Sequence, residues 1–121
     1  MRYMFLVYSR EIDLAQVPPQ EMEEIKRRHR AVQEEARQKG ILIGAEPLQP
    51  TSTATTVRTE VGRPLIIDGP FAETKEQLAG YYILECRDLD EAIEWAAKIP
   101  TACQGGSGSI EIRPFLQRAP G

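Results

Sequence analysis

Two side chains in this sequence are suited to acid–base chemistry near neutral pH. His29 is the one histidine of the chain, and histidine titrates close to neutrality. Asp68 is followed by Gly69 and Pro70, which permit and impose a sharp turn, so its carboxylate is expected at a strand end. An imidazole and a carboxylate within reach of one ligand can move a proton on that ligand. His29 and Asp68 are therefore the candidate catalytic residues.

Each of these residues also has a purely structural explanation. His29 falls on the apolar stripe of a predicted helix, where a neutral histidine bonded to a carbonyl is an ordinary core residue. Asp68 can form an Asx-turn by accepting a backbone N–H just ahead of it. A separation of more than about 8 Å between them, with His29 sealed in the core, would favour a binding or structural protein over an enzyme.

Further side chains are candidates for shaping a binding site. Glu46 is acidic within an otherwise apolar strand, so it lies either at the surface or in a polar pocket. Arg58 shares a strand face with Thr56 and either meets an anion or belongs to a solvated hairpin face. Glu73 and Lys75 either fix their loop through an ion pair or contact a ligand. The predicted binding residues are Tyr8, Glu46, Arg58, Phe71, Glu73, Lys75 and Tyr81.

Hydrophobic periodicity predicts the elements that hold these residues in the first half of the chain. Tyr3–Tyr8 is apolar on both alternating faces, which is typical of a central strand. A helix is predicted from Pro19 to about Lys39, with Gly40 after its end. Its apolar stripe consists of Met22, Ile25, His29, Val32 and Ala36. Ile41–Leu48 is predicted to be a strand, in which Gly44 would allow a close backbone approach.

A hairpin and a turn are predicted in the middle of the chain. The hairpin strands are Thr55–Thr59 and Arg63–Ile67, joined through Glu60-Val61-Gly62. Thr74 and Gln77 have the spacing of a capping box. That spacing predicts a short helical turn over Thr74–Ala79.

A strand, a helix and a further strand are predicted in the last third of the chain. Tyr81–Cys86 is a predicted strand, and Asp88 is expected to cap the following helix. The predicted buried stripe of that helix is Leu89, Ala92, Ile93 and Ala96, with Trp95 at its border and Pro100 beyond its end. Thr101–Gly108 is expected to be a loop, and Ser109–Arg113 the last strand.

This order of elements gives an α+β plan, βαββαβ with an extra hairpin. Its two helices are expected on one face of the sheet, which leaves apolar side chains on the other face. Exposed apolar patches of that kind usually mark an interface. The sequence therefore predicts a homodimer with two sheets packed face to face.

Composition limits the classes of partner. The 121 residues fit one domain, and the net charge of −3 with a pI near 5.2 argues against nucleic-acid binding. The basic run Lys26–Arg30 is flanked by glutamates and is expected to be a solvated helix face.

Neither a signal peptide nor a spanning helix is recognisable, so no membrane partner and a cytoplasmic location are expected. Cys86 and Cys103 have no ligand-type spacing, and no nucleotide fingerprint is found, so no metal or other cofactor is expected.

The stretch from Asp68 to Tyr82 resembles the signature of the DGPF branch of the YCII-related proteins. Met1–Tyr8, Gly44–Leu48, Ala54–Arg58 and Glu111–Pro114 are also similar to that family's pattern. The resemblance implies that residues 1–121 form one YCII-related/DGPF domain with a ferredoxin-like fold, which pairs into a dimeric α/β-barrel. In the wider family a histidine and an aspartate are regarded as a catalytic pair, and His29 is similar in placement to that histidine.

Two classes of function follow. The first is a small-molecule enzyme with a pocket near the DGPF turn, for which the resemblance implies lyase-like or dehydrochlorinase-like chemistry on a ring compound. The second is a binding or accessory protein without catalysis. For this class, the resemblance implies a link to extracytoplasmic-function sigma factors, because genes of DGPF-type proteins often stand beside theirs.

Overall fold

The computed structural model describes residues 1–101 and 107–117. The strands are β1 (Arg2–Arg10), β2 (Leu42–Pro47), β3 (Thr55–Glu60), β4 (Arg63–Asp68), β5 (Glu76–Glu85) and β6 (Gly108–Pro114). The helices are α1 (Pro19–Gln38) and α2 (Leu89–Ala96), with short 3-10 turns at Leu14–Gln16 and Thr51–Thr53. Most of the predicted loop before β6, including Cys103, falls outside the described residues.

The main sheet has four strands in the order β2-β5-β1-β6, and all neighbouring pairs are antiparallel. With α1 between β1 and β2 and α2 between β5 and β6, this is the ferredoxin-like α+β arrangement that the sequence predicts. The sheet is open, since β2 and β6 form its edges, and the described part of the chain closes no barrel.

The core lies between the two helices and one face of this sheet. Its residues, each at most 7% exposed, are Tyr3, Phe5, Val7, Val32, Ala36, Tyr82, Leu84, Cys86, Ala92, Trp95 and Ile99. Phe5 pairs with Tyr82 across the central strands. Full burial of a side chain as large as Phe5 contributes about 1.5–3 kcal/mol. Burial also raises the pKa of the Cys86 thiol to about 11, so this cysteine is an inert packing residue.

Neither α1 nor α2 lies on the other face of the sheet, since both pack on the face that carries the core. Met4, Leu6 and Tyr8 alternate with the core residues of β1 and are half-buried. Met4 pairs with Ile83, and Leu6 pairs with Tyr81, so the neighbouring strands shield these side chains in part. The predicted central position of the first strand is confirmed, since β1 lies between β5 and β6 in the sheet.

The predicted hairpin is confirmed as a separate two-stranded sheet of β3 and β4. Val61 and Gly62 have φ angles of 48° and 76°, the left-handed geometry of a tight hairpin turn. Both strands are largely exposed, and Ile66 is 71% exposed. At the base of the hairpin, the Thr56 hydroxyl donates to Gly69 O, and the Gly69 N–H donates to Ala54 O.

The prediction of a helical turn over Thr74–Ala79 is wrong, because β5 already begins at Glu76. Gln77 pairs with Ser9 of β1, so ladder hydrogen bonds replace the capping box. The Thr74 hydroxyl donates to Glu76 O, and the Gln77 amide donates to Ala72 O and Thr74 O. A helix this short gains too few hydrogen bonds to compete with a strand pairing.

The predicted stripe of α2 is partly wrong. Ala92 and Trp95 are buried, whereas Leu89 and Ile93 are about half exposed. The larger side chain of Trp95 takes the core position and turns the helix accordingly. The cap is as predicted, since the Asp88 carboxylate accepts the Glu91 N–H at 2.9 Å.

Backbones approach closely at Gly80 of β5 and at Gly108 of β6, and not at the predicted Gly44. A Cβ atom at Gly80 would stand 2.9 Å from the carbonyl oxygen of Glu46, whereas one at Gly44 would meet no atom within 4 Å. Across the described residues, no helix combines the length and the apolar character needed to cross a membrane.

Candidate functional site

A cavity of about 520 Å³ opens between α1 and the core face of the sheet. It lies at the end of the sheet where β1 and β2 finish and β5 starts, and Val7, Pro47 and Leu78 all line it. Most of its wall is apolar. The volume suits a small organic molecule, and mainly apolar walls with a few polar groups are typical of ligand sites.

The apolar stripe of α1 explains why the cavity exists. Val32 and Ala36, in the C-terminal half of the helix, are buried in the core. Met22, Ile25 and His29, earlier on the same stripe, are only half-buried and line the cavity. The stripe is therefore confirmed as continuous, but only its C-terminal half is closed against the sheet.

His29 joins the helix to the sheet at the wall of this cavity. Its Nδ1 lies 2.7 Å from the hydroxyl oxygen of Tyr82 on β5, and the two rings are stacked with centroids 6.0 Å apart. Burial lowers the pKa of His29, and the positive charge of Arg28 acts in the same direction. The imidazole is therefore neutral at pH 7. Its Nε2 atom has no hydrogen-bond partner among the described residues, so this nitrogen is available to a ligand.

Tyr82 has a second polar neighbour. Burial raises the pKa of its hydroxyl, while the neighbouring Gln33 side chain opposes that shift. Gln33 stands four residues after His29 on α1 and lines the same cavity. Gln33, Tyr82 and His29 are thus polar members of a mainly apolar wall.

Charged residues surround this group. Arg10, Lys26 and Arg30 line the cavity, are exposed, and form no ion pair within the described part of the chain. Two acidic residues also line it. Glu11 accepts hydrogen bonds from the Thr51 N–H and hydroxyl, both at 2.7 Å, whereas Glu46 is exposed.

The structure brings together some of the predicted site residues and leaves others apart. His29, Glu46 and Tyr81 line the cavity. The predicted residues that do not line it are Tyr8, Arg58, Asp68, Phe71, Glu73 and Lys75. Strand β5 connects the two regions, because it follows the segment that contains Phe71 and Lys75, and its residues Gln77 and Leu78 line the cavity.

The residues outside the cavity occupy two other surfaces. The Tyr8 hydroxyl lies on the helix-free face of the sheet and donates to Glu111 Oε1 at 3.5 Å. Asp68 is exposed at the end of β4, and Phe71 is 82% exposed. Within residues 1–101 and 107–117, Asp68 forms neither the expected Asx-turn nor an ion pair with Lys75.

Sequence reasoning missed Tyr82, Gln33 and the three basic residues. One signal was available for Tyr82: its alternation with Tyr81 places it on the core face of β5, toward the helix stripe that carries His29. No cluster of three or more His, Cys, Asp or Glu suited to a metal ion is found in the described portion.

Comparison with known proteins gives two matches. The family model for the YCII-related domain matches residues 1–116. An uncharacterized protein of Rhizobium meliloti (strain 1021) is 39% identical over 121 residues, which covers 100% of this chain and 97% of that protein.

Proposed function

This chain belongs to the YCII-related family, and we propose that it binds a small molecule in the cavity beneath α1 and acts on it by acid–base chemistry through His29. The observation that carries this proposal is the hydrogen bond between His29 Nδ1 and the Tyr82 hydroxyl. It leaves Nε2 as the nitrogen for a ligand, in a cavity of suitable size. A histidine whose orientation is fixed through one ring nitrogen is a common form of general acid or base.

The proposed reaction is lyase-like, of which dehydrochlorination of a ring compound is one example, and it uses no metal or other cofactor. The reaction class comes from the resemblance to family members. The mainly apolar wall with a single imidazole supports it, since such a site favours a proton transfer on a carbon skeleton over chemistry on a highly charged group.

Asp68 is the second candidate acid–base group, and it requires a separate test. It lies outside the cavity of its own subunit, so His29 with Tyr82 is the local acid–base pair in our proposal. Lower turnover in Asp68→Asn, with His29 intact, would indicate that Asp68 reaches the ligand in the assembled protein. Unchanged turnover would leave the acid–base role to His29.

The experiment that tests this function is a crystal soak with a library of small ring metabolites, followed by turnover assays on each ligand found. We expect ligand density in the cavity within hydrogen-bond distance of His29 Nε2. We also expect His29→Ala to lower turnover by about 10²–10⁴-fold, the usual contribution of a general acid or base. Ligands bound only elsewhere, or turnover unchanged in both His29→Ala and Asp68→Asn, would refute the proposal.

We also propose that the active form is a homodimer, in which two sheets close into an α/β-barrel. The helix-free face carries half-buried Met4, Leu6, Tyr81 and Ile83, and the hairpin exposes Ile66. A two-stranded hairpin is marginally stable without packing, so cover by a second copy would stabilise it. Light scattering at micromolar concentration tests this directly, and a monomer would contradict it.

The finer classification is part of the same proposal. The stretch from Asp68 to Tyr82 supports placement in the DGPF branch, with residues 1–121 as one domain. A cytoplasmic location fits the two cysteines, of which Cys86 is a free, buried thiol.

A second candidate function is ligand binding without catalysis. The position of Asp68 outside the cavity favours it, because the site then holds one titratable histidine and no aspartate beside it. In this case the protein would act as an accessory or regulatory subunit, in keeping with the sigma-factor setting of DGPF-type relatives. Ligand binding with no product formed, in wild type and His29→Ala alike, would support this candidate.

A further inference from the structure

The hydrogen bonds around Tyr82 determine which ring nitrogen of His29 carries the proton. Tyr82 is buried, so the proton of its hydroxyl group needs an acceptor among the neighbouring side chains. Tyr82 has one proton of its own, and its nearest acceptor is His29 Nδ1 at 2.7 Å. Neutral His29 therefore holds its proton on Nε2.

Tyr82 and His29 form a series of two donors that point the same way. Tyr82 donates to Nδ1, and the Nε2–H of His29 is left as a donor to whatever occupies the cavity. Hydrogen bonds in such a series polarise one another, which strengthens the last donor. A group placed at Nε2 must accept a hydrogen bond, and an anionic oxygen is the strongest acceptor.

The charges around His29 favour the same sign of ligand. Arg10, Lys26 and Arg30 are basic and have no ion-pair partner among the described residues. Of the two acids, Glu11 has its oxygens engaged by the Thr51 N–H and hydroxyl, which leaves Glu46 as the one opposing carboxylate. Lys26 and Arg30 stand three residues before His29 and one after it on α1, and both line the cavity.

We propose that the cavity selects an apolar molecule with a single negative charge, a carboxylate, whose oxygen accepts the Nε2–H of His29 while Lys26 and Arg30 attract its charge. This inference rests on the proposed function, because it names the ligand class of the same site. The mainly apolar wall favours one carboxylate over a phosphate, because a phosphate brings a second charge that would also have to be taken out of water.

The test uses cinnamate, its neutral amide cinnamamide and the cation cinnamylamine, three probes with one apolar body and different charge. Affinities are measured by titration calorimetry. Because His29 is the only histidine, isotope labelling of histidine gives nitrogen NMR signals that belong to this residue alone. We expect cinnamate to bind at least about tenfold more tightly than the amide and the amine, and to shift the Nε2 signal.

Two variants separate charge from shape. Lys26→Gln combined with Arg30→Gln is expected to remove most of the preference for cinnamate over the amide. Arg63→Gln is the matched control, since Arg63 is exposed on the hairpin, has no ion pair among the described residues and does not line the cavity. It should leave the preference unchanged.

A further variant tests the donor chain. Wild type should show the proton on Nε2, and Tyr82→Phe should convert this signal into a mixture of both tautomers. Tyr3→Phe, a buried tyrosine that does not line the cavity, should leave the signal unaltered. A proton on Nδ1 in wild type would overturn the inference.

The remaining outcomes distinguish this inference from the proposed function. If the amide or the amine binds as tightly as cinnamate and also shifts the nitrogen signal of His29, the ligand class is refuted and the cavity remains a binding site. If no probe shifts the His29 signal, the carboxylate assignment is wrong, while the soaking experiment still decides whether another molecule binds there.

Discussion

His29 Nδ1 and the Tyr82 hydroxyl oxygen, 2.7 Å apart, form the polar link between α1 and β5 at the cavity wall. The link orients the imidazole and holds the half-closed part of α1 beside the sheet. It also makes the stability of the fold depend on the ionisation state of His29.

Stability should fall in mildly acidic solution because of His29. Its pKa in the folded protein is below the value of about 6.5 expected after unfolding, so the unfolded chain binds more protons between those two pKa values. The contribution of neutral His29 is therefore complete above about pH 6.5 and is lost as the pH falls through the folded pKa. Urea unfolding followed by circular dichroism over a pH series should show this loss in wild type and not in His29→Gln. Parallel pH profiles for the two proteins would contradict the assignment.

Tyr82→Phe should destabilise the protein by about 1–3 kcal/mol, because the half-buried His29 loses the hydrogen-bond partner of its Nδ1 atom. Tyr3→Phe is the matched control. Its hydroxyl is 3.5 Å from the Met1 sulfur, a weak acceptor, so its removal should cost less. Equal losses in the two variants, measured by urea unfolding, would show that the Tyr82 hydroxyl has no special role.

Gly80→Ala should destabilise the sheet beside the cavity by about 1–3 kcal/mol, because the new methyl group would overlap the Glu46 carbonyl 2.9 Å away. Gly44→Ala, on the paired strand β2, has open space and should change stability by no more than about 0.5 kcal/mol. Thermal unfolding of the two variants compares them directly. A Gly80→Ala protein as stable as wild type would mean that β2 moves away without cost.

Ile66→Asp should weaken the proposed dimer by about tenfold or more, since it places a charge on the most exposed isoleucine of the hairpin. Ile93→Asp makes the same change on α2, at a residue that is 51% exposed, and should leave association intact. Sedimentation equilibrium gives both dissociation constants. An equal effect of the two substitutions would indicate that the hairpin is not the contact surface.

Much of the fold was predictable because its signals are local. The two apolar faces of Tyr3–Tyr8, the stripe of α1 and the Asp88 cap are all visible within a few residues, and all are confirmed. The start of β5 could not be predicted in this way. Glu76 and Gln77 are in a strand only because β1 extends to Arg10 beside them. A pairing partner almost 70 positions away leaves no mark on the local pattern.

The site was predictable in part for the same reason. His29 could be found as the one polar member of an apolar stripe, but its partner Tyr82 lies 53 positions away. Lys26 and Arg30 looked like ordinary solvated charges among glutamates. That interpretation is correct for Arg27, which pairs with Glu24, and it overlooked the two neighbours that line the cavity.

The packing of α2 gives the protein an internal optical reporter. Trp95 is the only tryptophan and is 4% exposed, with the ammonium groups of Lys98 and Lys39 at 4.4 and 5.5 Å from its ring centroid. Because Lys39 follows α1 and Lys98 follows α2, the indole emission senses both helices at once. A red shift of that emission would therefore report separation of the helix layer without any added dye.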